Sequence, residues 1–192
     1  MASQVEIVNR ALQKLGGPYI VSISDNNEQG RAAARCWATA RDRLLAAHPW
    51  NFAMARASLA AHATAPAFGY ANAFPLPANC LRVWEIGDGC PPWPWTVENH
   101  AGAPAILTDM EAPLDIRYVA RIETTGFWSA GFVEGMATVL AAELAPALTN
   151  SEGRTRTLQA EAAAVLSEGK RQDGQEGAPE QTPDGAWLDS RL

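Results

Sequence analysis

Histidines, cysteines and turn aspartates are the residues of this chain whose types and spacing could support chemistry. The three histidines, His48, His62 and His100, fall in separate segments, and none stands at metal-ligand spacing from a cysteine or a carboxylate. The sequence contains no nucleophile-elbow, Walker A or dinucleotide-binding motif. Asp88 and Asp109 lie in predicted turns, where aspartate is common for conformational reasons. We therefore expect no catalytic residue, no metal and no cofactor, and interpret the protein as non-enzymatic.

The three cysteines, Cys36, Cys80 and Cys90, do not have the number or spacing of a disulfide framework. Cys36 lies on the apolar face of a predicted helix, where we expect a small buried side chain. Cys80 and Cys90 flank a predicted strand and turn, so a disulfide between them is geometrically possible, and their pairing stays open. The odd count favours a reducing, cytosolic site of synthesis.

Charge and hydropathy exclude several classes of partner. The net charge is −6 and there is no basic stripe, which argues against sequence-specific DNA binding. An acidic protein can still line a channel through which DNA passes without sticking. Glu6 and Asn9 interrupt the apolar residues of the N-terminal stretch, so we expect no signal peptide. No apolar run approaches the roughly 18 residues of a transmembrane helix, and we expect no membrane contact.

Apolar residues at helical spacing predict four helices that pack as an antiparallel bundle. The predicted helices span residues 4–15, 26–47, 127–145 and 151–170. Ser3 and Glu6 form a capping box at the first, and Asp25 or Asn26 caps the second. Pro146 is expected to close the third.

Between residues 51 and 122, alternating apolar and polar residues replace the helical spacing. The segments 53–60, 81–86, 104–108 and 114–119 are predicted strands. The predicted fold class is therefore α+β, mainly α, with a helical bundle formed by residues 1–50 and 123–171. A small antiparallel β-sheet is inserted over residues 51–122.

Residues 172–192 are predicted to form an extended C-terminal arm. The segment QDGQEGAPEQTPDGA contains no large apolar side chain, whereas the arm's far end carries Trp187 and Leu188. We expect Trp187, Leu188 and Arg191 to dock on a partner, with Arg191 pairing a carboxylate there. The alternative is that Trp187 packs on its own bundle. If the arm docks on a partner, deleting residues 172–192 leaves the melting temperature of the monomer nearly unchanged.

Seven tryptophans are a high number for 192 residues, and several fall in predicted loops. Trp93, Trp95, Trp128 and Trp187 are either interface anchors or parts of loops that fold back over the core. The Pro-rich block of residues 90–95 is predicted to be an exposed tip or edge that holds Trp93 and Trp95 stiffly.

Six segments together form a pattern that spans nearly the whole chain. They are IVNRALQKLGG (7–17), RDRLLAAHPWNFAMARASLA (41–60), FGYANAFPLPANCLRVWEI (68–86), LDIRYVARI (114–122), FVEGMATVLAAELAPALTNS (132–151) and WLDSR (187–191). The most specific part is HPWNF (48–52), followed by a Gly-Tyr and a Leu-Pro pair. On these segments the chain resembles the tail tubular protein A-like family of head–tail adaptors from short-tailed phages and prophages. It departs from the family pattern in the Trp- and Pro-rich region 90–95.

The resemblance implies a structural virion protein at the head–tail junction. Its subunits would form a homo-oligomeric ring, a dodecamer, beneath the portal protein, with duplex DNA passing through the lumen without specific binding. The β-rich region would face the next tail component, the nozzle, and Trp93 and Trp95 would contact it. The C-terminal arm would dock on the portal or on a neighbouring subunit. The alternatives are another tail-completion or tail-tube subunit and, less favoured, an interaction module of the host.

Overall fold

The computed structural model describes residues 2–87, 93–149 and 151–176, which form four α-helices and two three-stranded antiparallel sheets. The helices are α1 (Gln4–Leu15), α2 (Glu28–Ala46), α3 (Ala130–Thr149) and α4 (Glu152–Asp173). The strands are β1 (Met54–Leu59), β2 (Asn72–Pro75), β3 (Cys80–Ile86), β4 (Trp95–His100), β5 (Ala103–Thr108) and β6 (Leu114–Ala120). The predicted fold class, α+β and mainly α, is confirmed.

Local side-chain chemistry determines where the helices begin. The capping box of α1 is confirmed, since Ser3 Oγ accepts from the Glu6 amide and Glu6 Oε2 accepts from the Ser3 amide. The predicted cap of α2 was wrong by one to two residues, because Asn27 Oδ1 accepts from the Gly30 amide at 2.7 Å. Asp25 instead accepts from two amides of the preceding turn.

The third helix does not end where the sequence predicts. Residue 127 belongs to a short 3-10 turn, and α3 runs from Ala130 through Pro146 to Thr149. Proline costs the helix one bond, to the carbonyl of Ala142, but the last turn gains other contacts. Thr149 Oγ1 donates to the Ala145 carbonyl at 2.7 Å, and Leu148 packs against the helical core.

Helix α3 is the centre of the helical layer, with α1, α2 and α4 packed around it. The buried residues of α3 lie on every side of the helix, as expected of a helix in the centre of a core. By length and composition α3 is apolar enough to cross a membrane, but 67% of its most apolar window is buried inside the protein. This is the position of a core helix.

The inserted β-region consists of two sheets rather than the single small sheet that the sequence predicts. The first has the strand order β1-β6-β3 and the second β2-β5-β4, and all pairs are antiparallel. Strands β2 and β4 were missed by the sequence analysis. β4 forms a hairpin with β5 through Ala101-Gly102, whose φ angles are 53° and 87°.

The two sheets pack face to face around a core of their own. Its members include Phe74, Ile106, Leu114 and Ile116. The opposite face of the first sheet joins the helical core through Val119 of β6. The β-region therefore stands on the helical layer through its first sheet, and the second sheet lies farther from the helices.

Candidate interaction surfaces

The block HPWNF joins the helical layer to the β-region. Trp50 is fully buried, and its Nε1 donates to the Leu44 carbonyl at 3.0 Å. The Trp50 ring lies edge-on to Phe132 of α3, with ring centroids 5.1 Å apart, and the Phe52 ring also contacts Phe132. These contacts fix the direction in which the chain leaves α2 and enters β1.

Asp173, at the end of α4, is held against this block. Asp173 is only 5% exposed, and its two carboxylate oxygens accept from the Asn51 amide at 3.0 and 3.3 Å. Asn51 Nδ2 also donates to the Asp173 carbonyl at 2.6 Å, and His48 Nε2 lies 3.1 Å from Asp173 Oδ2. We name Asp173, Asn51 and His48 the α4 clasp. It contradicts the predicted start of the arm at residue 172, because Gln172 and Asp173 are helical.

The clasp fixes the position of the last turn of α4, close to the end of the described residues. Residues up to Glu176 are described, and the arm residues Trp187, Leu188 and Arg191 lie outside the described residues. Their predicted docking therefore stays a prediction. No short-range pattern in the sequence predicts the contact between His48 and Asp173, which lies 125 positions away.

Trp93 and Trp95 have different environments. Trp93 is 44% exposed, whereas Trp95, the first residue of β4, is half-buried and packs against the core between the sheets. Between them, the Pro94 carbonyl accepts from Thr108 Oγ1 at 3.0 Å, which anchors this stretch to β5. Trp95, the last residue of the block 90–95 that is predicted to be an exposed tip or edge, begins an edge strand, and residues 88–92 lie outside the described residues.

Trp128 is a core residue, so its interpretation as an interface anchor was wrong and the alternative, a loop that folds back over the core, holds. It is 7% exposed and stacks on Trp37 with ring centroids 5.8 Å apart. Its Nε1 donates to the Ile122 carbonyl at 3.1 Å, and its ring meets Phe132 edge-on. The 3-10 turn before α3 brings the ring inward, which linear spacing does not reveal.

The structure brings two of the three histidines together. The rings of His62 and His100 are T-shaped with centroids 4.9 Å apart, and a nitrogen of each lies within 3.3 Å of the Thr64 carbonyl. The spacing of His62 and His100 along the chain does not predict this pair. Within residues 2–87, 93–149 and 151–176, no group of three histidine, cysteine or acidic side chains is arranged to hold a metal ion.

The two described cysteines are unlike nucleophiles. Burial raises the pKa of the Cys36 thiol, with a further contribution from Glu143, and burial likewise raises the pKa of Cys80. Both thiols are therefore less ionised at neutral pH than a free cysteine, and a thiol is a weaker nucleophile than a thiolate. Cys36 is half-buried rather than fully buried, and Cys90 lies outside the described residues.

A groove opens between the two sheets on the side of β3 and β4. Its volume is about 360 Å³, and its lining is mostly apolar, with Leu81 and Val83 from β3 and Trp95 and Val97 from β4. Arg82 is the charged residue of the lining. We name this feature the β3–β4 groove.

The face of the first sheet that is turned away from the second sheet carries a polar depression of about 520 Å³. Arg56 and Arg117 are directly opposite each other on β1 and β6, and Arg117 pairs with Glu85 at 2.8 Å. The charges of both signs on this face suit contact with water or with a polar protein surface.

Comparison with known proteins finds no family model that matches the chain and no related curated protein.

Proposed function

We propose that this protein is a structural head–tail adaptor of a phage particle. Its subunits form a ring beneath the portal protein, join the capsid to the tail and leave a channel for DNA. The proposal starts from the resemblance of the six sequence segments to the tail tubular protein A-like adaptors. It places the mature protein in the virion, after synthesis in the bacterial cytoplasm.

The observation that carries the proposal is the α4 clasp at the junction of the helical layer and the β-region. HPWNF, the most specific part of the resemblance, makes contacts that are architectural: Trp50 fills the core and Asn51 holds Asp173. A ring connector needs such a joint, because its subunits must present different surfaces to two axial partners while keeping a fixed geometry.

Exposed apolar side chains at separated places also support an assembling protein. Val21 lies between α1 and α2, Phe127 lies before α3, and Trp84 and Trp93 lie on the β-region. A subunit that contacts two neighbours and two axial partners requires several such positions rather than one patch. A tail-completion subunit at another level of the tail fits these surfaces as well, so the experiment must identify the partner.

The test measures assembly mass with and without the portal protein of the same phage. Alone, the protein is expected to be monomeric or weakly associated, because each copy carries a net charge of −6 that repels its neighbours. With the portal ring we expect a closed complex with the stoichiometry of the portal. A stable monomer with no affinity for the portal would overturn the adaptor proposal, and binding to a distal tail component alone would favour the tail-completion subunit.

The channel is tested separately by a gel shift with duplex DNA. The acidic chain is expected not to bind at sub-micromolar protein and physiological salt, since few phosphate contacts are available to release counterions. Tight binding would contradict a passive lumen.

A further inference from the structure

The β3–β4 groove is bordered by two strands with open edges. Within the described part of the chain, β3 pairs only with β6 and β4 only with β5. An exposed strand edge offers a row of unpaired backbone donors and acceptors, which another extended segment can use. The apolar floor of the groove lies between these two edges, and Val97 is 43% exposed there.

The dimensions and the lining of the groove suit a single large apolar side chain on an extended peptide. Its volume of about 360 Å³ is at the lower end of the roughly 300–1,000 Å³ of ligand pockets. Trp95 provides an aromatic wall, and Arg82 lies over the Trp84 ring at 5.4 Å at the rim. An occupant with an aromatic anchor and a nearby carboxylate would match both features.

We propose that the occupant is the segment of residues 186–192 from an adjacent copy of this chain. Trp187 enters the groove as the anchor, and Asp189 pairs with Arg82. In an extended strand, residues two apart lie on the same face, so Trp187 and Asp189 reach the groove together. The proposal deepens the proposed function, because it supplies a contact between neighbouring subunits of the ring.

The chain has the length and charge for this contact. Residues 177–186 separate Glu176 from Trp187, and ten extended residues span at most roughly 35 Å, enough to reach a copy packed alongside. Residues 177–192 carry three carboxylates against Arg191, so their net charge is −2 and an arginine at the groove attracts them. Trp187 is the largest apolar side chain of this segment, and burying it in the groove removes it from water, whereas Leu188 lies on the opposite face of the extended segment.

The first experiment measures binding of a synthetic peptide with the sequence of residues 177–192, labelled with fluorescein. The receptor is the full chain carrying Trp187→Ala, so that its own segment does not compete. We expect saturable binding that Val97→Glu weakens by about tenfold or more, because a charge then lies on the apolar floor. The matched control is Val21→Glu, at an 89% exposed position between α1 and α2, which leaves binding unchanged.

A second variant keeps the proposal testable if Val97→Glu fails to fold. Arg82→Glu in the receptor should weaken binding of the unmodified peptide. A peptide carrying Asp189→Arg should recover the affinity that this receptor has lost. Recovery identifies the Arg82–Asp189 pair, since a general loss of structure would not be rescued by a change in the peptide. Absence of peptide binding, or equal binding to the Val97→Glu and Val21→Glu receptors, overturns the proposal.

The third experiment tests whether the occupant comes from another copy. A full chain carrying Trp187→Ala retains a groove but lacks the anchor, whereas one carrying Val97→Glu retains the anchor but lacks the groove. Sedimentation of the mixture should show a one-to-one complex at concentrations where each variant alone is monomeric. No complex at concentrations that saturate the peptide would overturn the second copy as occupant. None of these measurements includes a portal protein. The groove proposal can therefore fail while the chain still binds the portal, and portal binding can fail while the peptide still binds the groove.

Discussion

Replacing Asp173 by alanine is the sharpest test of how α4 is held. The substitution removes both carboxylate oxygens that accept from the part-buried Asn51 amide, and it removes the contact with His48. Leaving a donor without its charged partner costs about 1.5–3 kcal/mol of unfolding free energy. For a chain of this size the melting temperature should fall by roughly 3–12 °C.

The matched control is Glu168→Ala, on the same helix. Glu168 is an exposed carboxylate whose partners are Arg171 and Gln172 of its own helix, so its removal should leave the melting temperature nearly unchanged. Asp173→Asn should fall between the two variants, because the amide keeps one acceptor oxygen for Asn51 but loses the charge. Urea unfolding followed by tryptophan fluorescence gives the free energies directly.

A local measurement separates the clasp from general stability. If Asp173 holds the last turn of α4, trypsin should cleave after Lys170 and Arg171 faster in Asp173→Ala than in the parent chain, at temperatures where both are folded. The amide of Asn51 should exchange hydrogen faster in the same variant. Equal midpoints and equal cleavage in Asp173→Ala and Glu168→Ala would refute the clasp, and would leave the close packing of α4 on α3 as the contact that holds this end.

Three further predictions follow from the burial of particular side chains. Trp128→Ala should lower the unfolding free energy by about 3–5 kcal/mol in urea, whereas Trp93→Ala should cost under about 1 kcal/mol, and equal losses would contradict their different burial. Deleting residues 177–192 should leave the melting temperature unchanged, but deleting residues 172–192 should lower it as Asp173→Ala does, contrary to the expectation from sequence alone; calorimetry distinguishes the two. In a variant whose other two cysteines are serine, Cys80 should react with a disulfide reagent at pH 8 more slowly than in urea, because burial raises its pKa; equal rates would count against this.

The sequence predicts the starts of α1 and α4 because the caps of these two helices are local. Ser3 accepts from the Glu6 amide and Ser151 accepts from the Arg154 amide, each three residues away. The sequence spacing therefore indicates the hydrogen bond directly. The end of α3 is different, since Pro146 costs one bond and the compensating contacts of Leu148 come from other elements. The rule that proline ends a helix therefore predicts an end at residue 145, whereas tertiary packing allows α3 to continue to Thr149.

The β-region was harder to predict because its signals are weak or depend on partners. The hairpin of β4 and β5 turns through Ala101-Gly102, with positive φ at both residues, where Asn-Gly is the usual signal. Strand β2 has only four residues and includes Pro75, which discourages a strand assignment. The predicted strands are real, but two sheets require the two strands that spacing did not reveal.

Two tryptophans show why a candidate interaction surface cannot be identified without the fold. Trp93 and Trp128 both follow breaks in the periodic pattern, and composition treats them alike. The turn before α3 carries Trp128 into the core, where the Ile122 carbonyl accepts from its ring nitrogen, whereas Trp93 is 44% exposed. Loop position therefore indicates an aromatic contact but does not say whether the partner is the same chain.

The same distinction bears on what the resemblance to the adaptors can support. The most specific block of the resemblance, HPWNF, makes its contacts within the chain. Trp50 is in the core, and His48 and Asn51 contact the Asp173 carboxylate. Residues of this kind fix how the helical layer meets the β-region in this chain. Under the adaptor proposal, the contacts with partners depend instead on exposed positions such as Trp93 and Val97, which lie in or beside the region where the sequence departs from the pattern it otherwise resembles. A substitution in HPWNF should therefore impair every assembly step together through stability, whereas substitutions at Trp93 or Val97 should impair one contact at a time.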